Sequence, residues 1–215
     1  HWIRLHYLYP EWIDDRLIDV IAREDKILKY LDIPLQHCND KILKKMNRRG
    51  DKKYLCALLD KLRERIPGLV LRTSIIAGLP GEGEEEFDEL CDFLREQKLL
   101  RAGVFPYSPE EGTRAAKMER VDSDEAARRA ERIVDVQSEI IDAWNDERQG
   151  DVMEVLCEGF DGQSMLFVGR SYAESPDIDG RIYFSAPRDV AAGEFVPVRI
   201  TGAMDGELTG ELAEE

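Results

Sequence analysis

The sequence has no apolar run long enough to cross a membrane. Hydrophobic residues make up 43% of the 215 positions, yet no stretch approaches the roughly 18 consecutive apolar residues that a transmembrane helix needs. The first residues also lack the layout of a signal peptide. These absences predict a cytoplasmic protein. Because the chain opens on His1-Trp2 and not on methionine, we expect it to be a piece of a longer protein.

Cysteine is scarce, and its spacing is wide. No pair among Cys38, Cys56, Cys91 and Cys157 has the spacing of a zinc site or a redox motif. Cys56 and Cys91 lie among leucine and phenylalanine, so we expect both to be buried as small apolar side chains. Cys38 is expected to be buried or to lie in a loop. We therefore assign no metal ligand to this sequence.

Positive charge is short in the last third of the chain. The net charge is −15, and residues 148–215 hold 5 Lys+Arg against 14 Asp+Glu, whereas residues 1–50 hold 10 against 8. A surface that binds nucleic acid needs cations facing the phosphates. The composition therefore disfavours nucleic acid as a partner of the C-terminal region and favours a basic protein.

Apolar runs alternate with helical patterns over the first 107 residues. This alternation predicts parallel strands with right-handed crossovers, whose carboxyl ends carry the functional residues. The predicted strands are Ile3–Leu8, Tyr30–Leu35, Val70–Ala77 and Arg101–Tyr107.

Helix signals separate these strands, and a different pattern follows them. Asn39 is predicted to cap a helix through Arg48, and Asp51 is predicted to cap the next helix. A long helix is predicted from Ser123 to Gln149. About five short strands separated by turns then predict a small antiparallel barrel. We expect one domain over residues 1–147 and a second over 148–215.

Three residues stand out as candidates for binding chemistry. Arg72 lies in an apolar strand and needs an anionic partner, which could be a ligand or the carboxylate of Asp32 or Glu82. Gly78 could admit a flat ligand close to the backbone, or could serve a turn alone. His37 lies at a strand end, where a structural role and a functional one are equally compatible with the pattern.

Three long segments, residues 30–50, 71–82 and 103–113, resemble the methylthiotransferase branch of the radical S-adenosylmethionine (radical SAM) enzymes. Residues 169–180 are similar to the TRAM domain of these proteins. The motif Pro34-Leu35-Gln36-His37 resembles the RimO type, which modifies an aspartate of ribosomal protein S-twelve. The relatives that modify transfer RNA differ at this motif.

The resemblance implies a fold, an activity and a set of cofactors. The fold is α/β: a partial radical SAM barrel of about four of six βα units, followed by a TRAM-like barrel. The activity would be methylthiolation of the aspartate β-carbon, with SAM, two [4Fe–4S] clusters and an electron donor in the full-length enzyme. The cysteine loops that hold these clusters are absent here, so we expect this fragment to be inactive alone, and we name no catalytic residue.

The resemblance also implies part of a SAM pocket. Arg72 would hold the methionine carboxylate, and His37 would lie near the pocket or the substrate. The remaining pocket residues, by resemblance, are Gln36, Ser74, Ile76, Gly78, Phe105 and Tyr107. In Gly78-Leu79-Pro80-Gly81-Glu82 the acid is four residues past the glycine and not three, so no ligand role is assigned to Glu82.

Two other functions remain open at the level of sequence. The first is a transfer RNA methylthiotransferase, which would need an RNA-binding surface. The second is a module without catalytic activity that docks a ribosomal protein. Retention of residues such as Arg72 favours the enzyme over the module.

Overall fold

Four parallel strands form the sheet of the first part of the chain in the computed structural model, which describes residues 1–213. Their order in the sheet follows their order in the sequence, which confirms the predicted βα alternation. The strands are β1 (Ile3–Leu5), β2 (Ile27–Asp32), β3 (Val70–Ala77) and β4 (Arg101–Pro106). The second strand begins and ends three residues earlier than predicted. It ends before Pro34, which lacks the N–H that would continue the ladder.

Helices connect the strands and begin at polar caps. Both predicted caps are confirmed: the Asn39 side chain accepts from the backbone N–H of Lys41, and the Asp51 side chain accepts from that of Tyr54. The helix predicted to reach Arg48 ends at Lys45 instead, since Asn47 adopts a left-handed backbone with φ 57°. The helices are α1 (Asp15–Arg23), α2 (Asp40–Lys45), α3 (Lys52–Arg65), α4 (Glu84–Glu96) and α5 (Ser123–Glu147).

The two faces of the sheet have different surroundings. Along β3, Leu71, Ile75 and Ala77 are buried in the apolar core, where full burial of a large aliphatic side chain contributes about 1.5–3 kcal/mol. The alternate residues Arg72 and Ser74 lie on the opposite face and remain partly exposed. Since side chains alternate across a strand, this second face is free to carry polar groups.

The second part of the chain forms a closed barrel of five strands in the order β5-β6-β7-β9-β8. The predicted antiparallel pairing holds except between β7 and β9, which are parallel. That pairing was missed because β9 lies in the acidic C-terminal segment, whose composition is not typical of a strand. The strands are β5 (Val152–Asp161), β6 (Leu166–Arg170), β7 (Ile182–Ser185), β8 (Phe195–Met204) and β9 (Glu207–Leu212).

A buried carboxylate organises the segment between β6 and β7. Glu174 is 1% exposed and accepts hydrogen bonds from the backbone N–H and the hydroxyl of Ser171, at 2.8 and 2.6 Å. Nearby, the backbone N–H of Ser175 donates to the Asp179 carboxylate. The polar residues of this TRAM-like segment therefore fix a compact loop within the barrel unit.

The chain divides into two compact units, His1–Ile140 and Ile141–Glu215. The last turns of α5 thus belong to the second unit, and the domain border expected at residue 147 stays a prediction. Within residues 1–213, none of the helices combines the length and the apolar character needed to span a membrane.

Candidate functional site

Most residues predicted for the pocket follow β2 or lie toward the carboxyl ends of β3 and β4, whereas Arg72 lies in the first half of β3. Ser74 pairs with Gly103, and Ile76 pairs with Phe105, across the β3–β4 ladder. Gln36 forms an isolated bridge to Ile75. Of the predicted set, Gln36, Arg72, Ser74, Ile76, Phe105 and Tyr107 are partly exposed, whereas Gly78 and His37 are buried.

The backbone at Gln36 is locked in a left-handed conformation. Its φ is 71°, a region that costs a residue other than glycine about 1–3 kcal/mol. The Gln36 N–H donates to the Ser74 carbonyl at 2.8 Å, and the Gln36 carbonyl accepts from the Ile76 N–H at 3.0 Å. These two bonds hold the end of β2 against β3 and leave the Gln36 side chain half-buried.

A charged group lies deeper on the same face. Nη1 of Arg72 is 3.0 Å from Oδ1 of Asp32, and Nδ1 of His6 is 3.6 Å from Oδ2 of the same carboxylate. Asp32 is 1% exposed, and both contacts therefore lie in a buried part of the unit. The pairing of Arg72 with Asp32, which the sequence left open, is therefore present. Gly103 faces the guanidinium and leaves room for it.

An apolar cleft of about 260 Å³ adjoins the ends of β3 and β4. The hydroxyl of Tyr107 is buried, and it has no hydrogen-bond partner among residues 1–213. An unpaired polar atom beside apolar walls suits a flat ring with polar edges. The lining residues include Ile42, Met46, Ile76, Leu79, Tyr107 and Met118.

The space beside Gly78 is occupied by helix α5 and is not open. Its φ is 82°, and a Cβ built on it would lie 2.4 Å from the Cβ of Ala126 in α5. Real side chains cannot approach this closely. The close backbone approach that the sequence suggested at Gly78 is thus made by the first turn of α5 in this structure.

Glu82 braces the loop that follows β3. Its Oε1 accepts from the Gly78 N–H and from Nη1 of Arg129, both at 2.9 Å. Its Oε2 accepts from the Leu79 N–H at 3.4 Å. Burial alone would raise the pKa of Glu82, but its contacts with His37, Gly78 and Arg129 together lower the pKa below the ordinary value of 4.5.

Arg129 is a member of the site that the sequence did not reveal. It is 6% exposed and bonds both the side chain and the carbonyl oxygen of Glu82. Burial alone would lower the pKa of Arg129, but hydrogen bonds to Glu82 and Glu125 raise it. The sequence offers one signal for Arg129, its place beside the apolar stripe of the predicted helix. Arginines at such positions are also common on solvated helices, so the signal does not identify a buried residue.

His37 is fully enclosed, with no exposed surface. Its Nδ1 accepts from the Asn39 N–H at 3.0 Å, and its Nε2 lies 3.4 Å from Oε2 of Glu82. The His37 side chain therefore belongs to the group of residues that contact Glu82, and it does not line the cleft.

The cysteines of this chain do not assemble into a metal site. Among residues 1–213, no group of three His, Cys, Asp or Glu side chains is arranged to hold a metal ion. Cys38, Cys91 and Cys157 are buried separately, and Cys56 is half-buried. Burial raises the pKa of the Cys38 thiol well above its ordinary value of 9.0, which disfavours the thiolate that metals bind. Residues 1–213 therefore offer no set of side chains that fits an iron–sulfur cluster.

The close contact between Gly78 and α5 predicts the effect of two matched substitutions. Gly78→Ala adds a methyl group at a positive φ and against Ala126, so we expect a loss of about 1–2 kcal/mol for the backbone and about 1–3 kcal/mol more for overpacking. Gly112→Ala meets the same φ of 82° with open space around it, so only the backbone loss is expected. Urea unfolding of both variants measures the difference, and equal losses would contradict the proposed contact.

The lowered pKa of Glu82 predicts how stability depends on pH. The folded state favours the ionised carboxylate, so the stability that it provides is present above pH 4.5 and is lost as the pH falls below that value. Glu82→Gln should unfold more easily at neutral pH, because Arg129 loses its buried partner, and should show a flatter loss of stability in acid. Exposed Glu85→Gln is the control and should follow the wild type. An unchanged acid slope in Glu82→Gln would show that this carboxylate does not carry the effect.

Two family models match the chain. One, described as the radical SAM superfamily, matches residues 1–94. The other, described as the TRAM domain, matches residues 150–213. The first match includes three of the four strands of the parallel sheet, β1 to β3, and the second includes all five strands of the closed barrel.

Curated relatives match over the whole of this chain. The protein named "Ribosomal protein uS12 methylthiotransferase RimO" of Acetivibrio thermocellus is 45% identical over 215 residues, which are 100% of this chain and 48% of the relative. The protein of that name in Symbiobacterium thermophilum is 47% identical over 216 residues, or 99% of this chain and 44% of the relative. The chain spans about half the length of the curated relatives it matches.

A solved structure supports the fold. Coproporphyrinogen III oxidase (HemN) from Escherichia coli, a radical SAM enzyme, aligns with a TM-score of 0.54 at 21% identity and covers 65% of this chain and 32% of its own. At this identity the likeness shows the fold alone. The matched regions and the relatives lead to one statement: this chain contains a region that matches the radical SAM superfamily and a region that matches the TRAM domain, and it is similar along its length to proteins named RimO.

Proposed function

We propose that this chain is part of a radical SAM methylthiotransferase that adds a methylthio group to the β-carbon of an aspartate in ribosomal protein uS12. The observation that carries the proposal is the gathering of the pocket residues at one end of the sheet. Relatives named for this activity match the chain along its whole length. Its substrate would place the enzyme in the cytoplasm.

The strand ends would hold part of SAM. Arg72 presents a guanidinium that is 12% exposed beside the Asp32 carboxylate, and it would share its donors between Asp32 and the methionine carboxylate. Gln36 and Ser74 supply polar groups on the same face. This division of roles keeps the arginine ordered before the ligand arrives, which lowers the entropy lost on binding.

The apolar cleft would receive the adenine ring. Ile76 and Tyr107 line it, and Phe105 is 54% exposed on the neighbouring position of β4. The unpaired hydroxyl of Tyr107 would gain a partner at the edge of the ring, which removes the cost of a buried polar group without a hydrogen bond. Gly78, whose backbone N–H donates to the Glu82 carboxylate, would hold the turn beside this cleft in place.

The iron–sulfur chemistry would be supplied from outside this chain. When bound, a [4Fe–4S] cluster supplies the electron that cleaves SAM, and the full-length enzyme would carry two such clusters and receive electrons from a donor protein. Because residues 1–213 contribute no ligand set for a cluster, we propose that the chain alone is inactive.

The substrate would be recognised through charge. Residues 148–215 carry 5 Lys+Arg against 14 Asp+Glu, and a surface of this sign attracts a basic protein and repels a phosphate backbone. Ribosomal protein uS12 fits this surface better than transfer RNA does, so nucleic acid is disfavoured as a partner of the barrel unit.

A binding titration of the 215-residue chain tests this proposal. We expect the chain to bind ribosomal protein uS12 and not bulk transfer RNA, with affinity that falls between about 50 and 200 mM salt. Glu207→Lys combined with Glu211→Lys reverses two charges on β9 and should weaken binding at least several-fold.

The control makes the same change of charge in the other unit. Glu64→Lys combined with Glu85→Lys alters two exposed acids of the helices and should leave the affinity within about twofold of wild type, since these residues lie outside residues 148–215, to which the proposal assigns the binding surface. Preference for transfer RNA would favour an RNA-modifying enzyme. Equal weakening by both double variants would mean that net charge, and not the barrel, governs binding.

A further inference from the structure

The imidazole of His37 is held in one tautomer. Because its Nδ1 accepts from the Asn39 N–H, the hydrogen of the neutral ring lies on Nε2. The nearest acceptor is Oε2 of Glu82 at 3.4 Å, and Nε2 has no other hydrogen-bond partner within residues 1–213. The contact is longer than a standard hydrogen bond. A side chain with no exposed surface thus directs its single N–H toward one carboxylate.

His37 lies between two rigid pieces of backbone. The preceding residue, Gln36, is bonded through its N–H and carbonyl to β3. Two residues later, the Asn39 side chain caps α2 by accepting from the N–H groups of Lys41 and Ile42. The imidazole is therefore carried on a segment that cannot shift without breaking the end of the β2–β3 contact.

Glu82 extends this connection to the other strand end. Its carboxylate accepts from the N–H groups of Gly78 and Leu79, which form the turn that follows β3. A path of direct contacts therefore runs from the end of β2, through His37 and Glu82, to the turn at Gly78. Both ends of the path adjoin residues assigned above to the SAM pocket.

We propose that His37 is a positioning residue, which ties the end of β2 to the turn after β3 through Glu82 and so holds both cofactor-facing strand ends in one relative arrangement. The proposal rests on the proposed function for the identity of the ligand, but the tie between the two strand ends is a property of this chain alone.

Packing alone would not require a histidine at this position. An apolar side chain of similar volume would leave the Asn39 N–H without its acceptor and would face Glu82 with no donor, and each buried polar group left unpaired is costly. Two substitutions by amide residues, His37→Asn and His37→Gln, test the contacts with Asn39 and Glu82 separately. Asparagine places an acceptor near the position of Nδ1, whereas glutamine places a donor near the position of Nε2.

Amide hydrogen exchange in the 215-residue chain tests the tie directly. In His37→Asn, we expect the Gly78 and Leu79 amides to exchange about threefold to tenfold faster than in wild type, because Glu82 has lost one contact. In His37→Gln, these two amides should stay within about twofold of wild type, while protection of the Asn39 amide is lost. Equal behaviour of the two variants, or exchange that follows global stability alone, would overturn the proposal.

Titration with S-adenosylhomocysteine separates this inference from the proposed function. If the wild-type chain binds this probe, His37→Asn should weaken binding more than His37→Gln does, and equal affinities would overturn the positioning role. If the wild-type chain does not bind the probe, the pocket assignment fails, and the exchange pattern still decides whether His37 ties the two strand ends.

Discussion

The candidate site depends on one buried carboxylate. Glu82 receives hydrogen bonds from the turn at Gly78 and from Arg129 in α5, and it faces His37 at the end of β2. A buried carboxylate without such partners would cost several kcal/mol, so the three elements that supply them are held in mutually dependent positions. The left-handed turn at Gly78, which Ala126 approaches closely, and the enclosed His37 both contact this single carboxylate.

The same constraint explains where polar residues can lie in the first unit. Helices cover one face of the sheet and fill it with apolar side chains, so Arg72 and Ser74 are confined to the other face. Asp32 is buried there with Arg72 and His6 as its partners, which orders a guanidinium below the strand ends. A ligand at these ends would meet an ordered guanidinium and an apolar cleft.

Local chemistry made much of this fold predictable. The β-branched run Val70–Ala77 is a strand over its whole predicted length, and the Asn39 and Asp51 caps follow directly from their side chains. Contacts between residues distant in sequence were less accessible. No local pattern distinguishes the buried Arg129 from an arginine on a solvated helix. The strand β9 depends on its pairing with β7 and β8, which lie earlier in the sequence. The pocket residues were predicted from the resemblance to a family, because the sequence pattern around Arg72 is compatible with either a ligand or a carboxylate as its partner.

A chimera can test the proposal that this chain is part of an enzyme that modifies ribosomal protein uS12. The most direct measurement joins the chain to the part of the Acetivibrio thermocellus relative that it does not cover, and incubates this chimera with SAM, a reductant, inorganic sulfide as the sulfur source, ribosomal protein uS12 and transfer RNA. Mass spectrometry of both substrates is compared with the unmodified relative as the reference. The account predicts a methylthio group in place of one hydrogen on an aspartate of ribosomal protein uS12. A methylthio group on transfer RNA, or a chimera that cleaves SAM and leaves ribosomal protein uS12 unmodified, would contradict it.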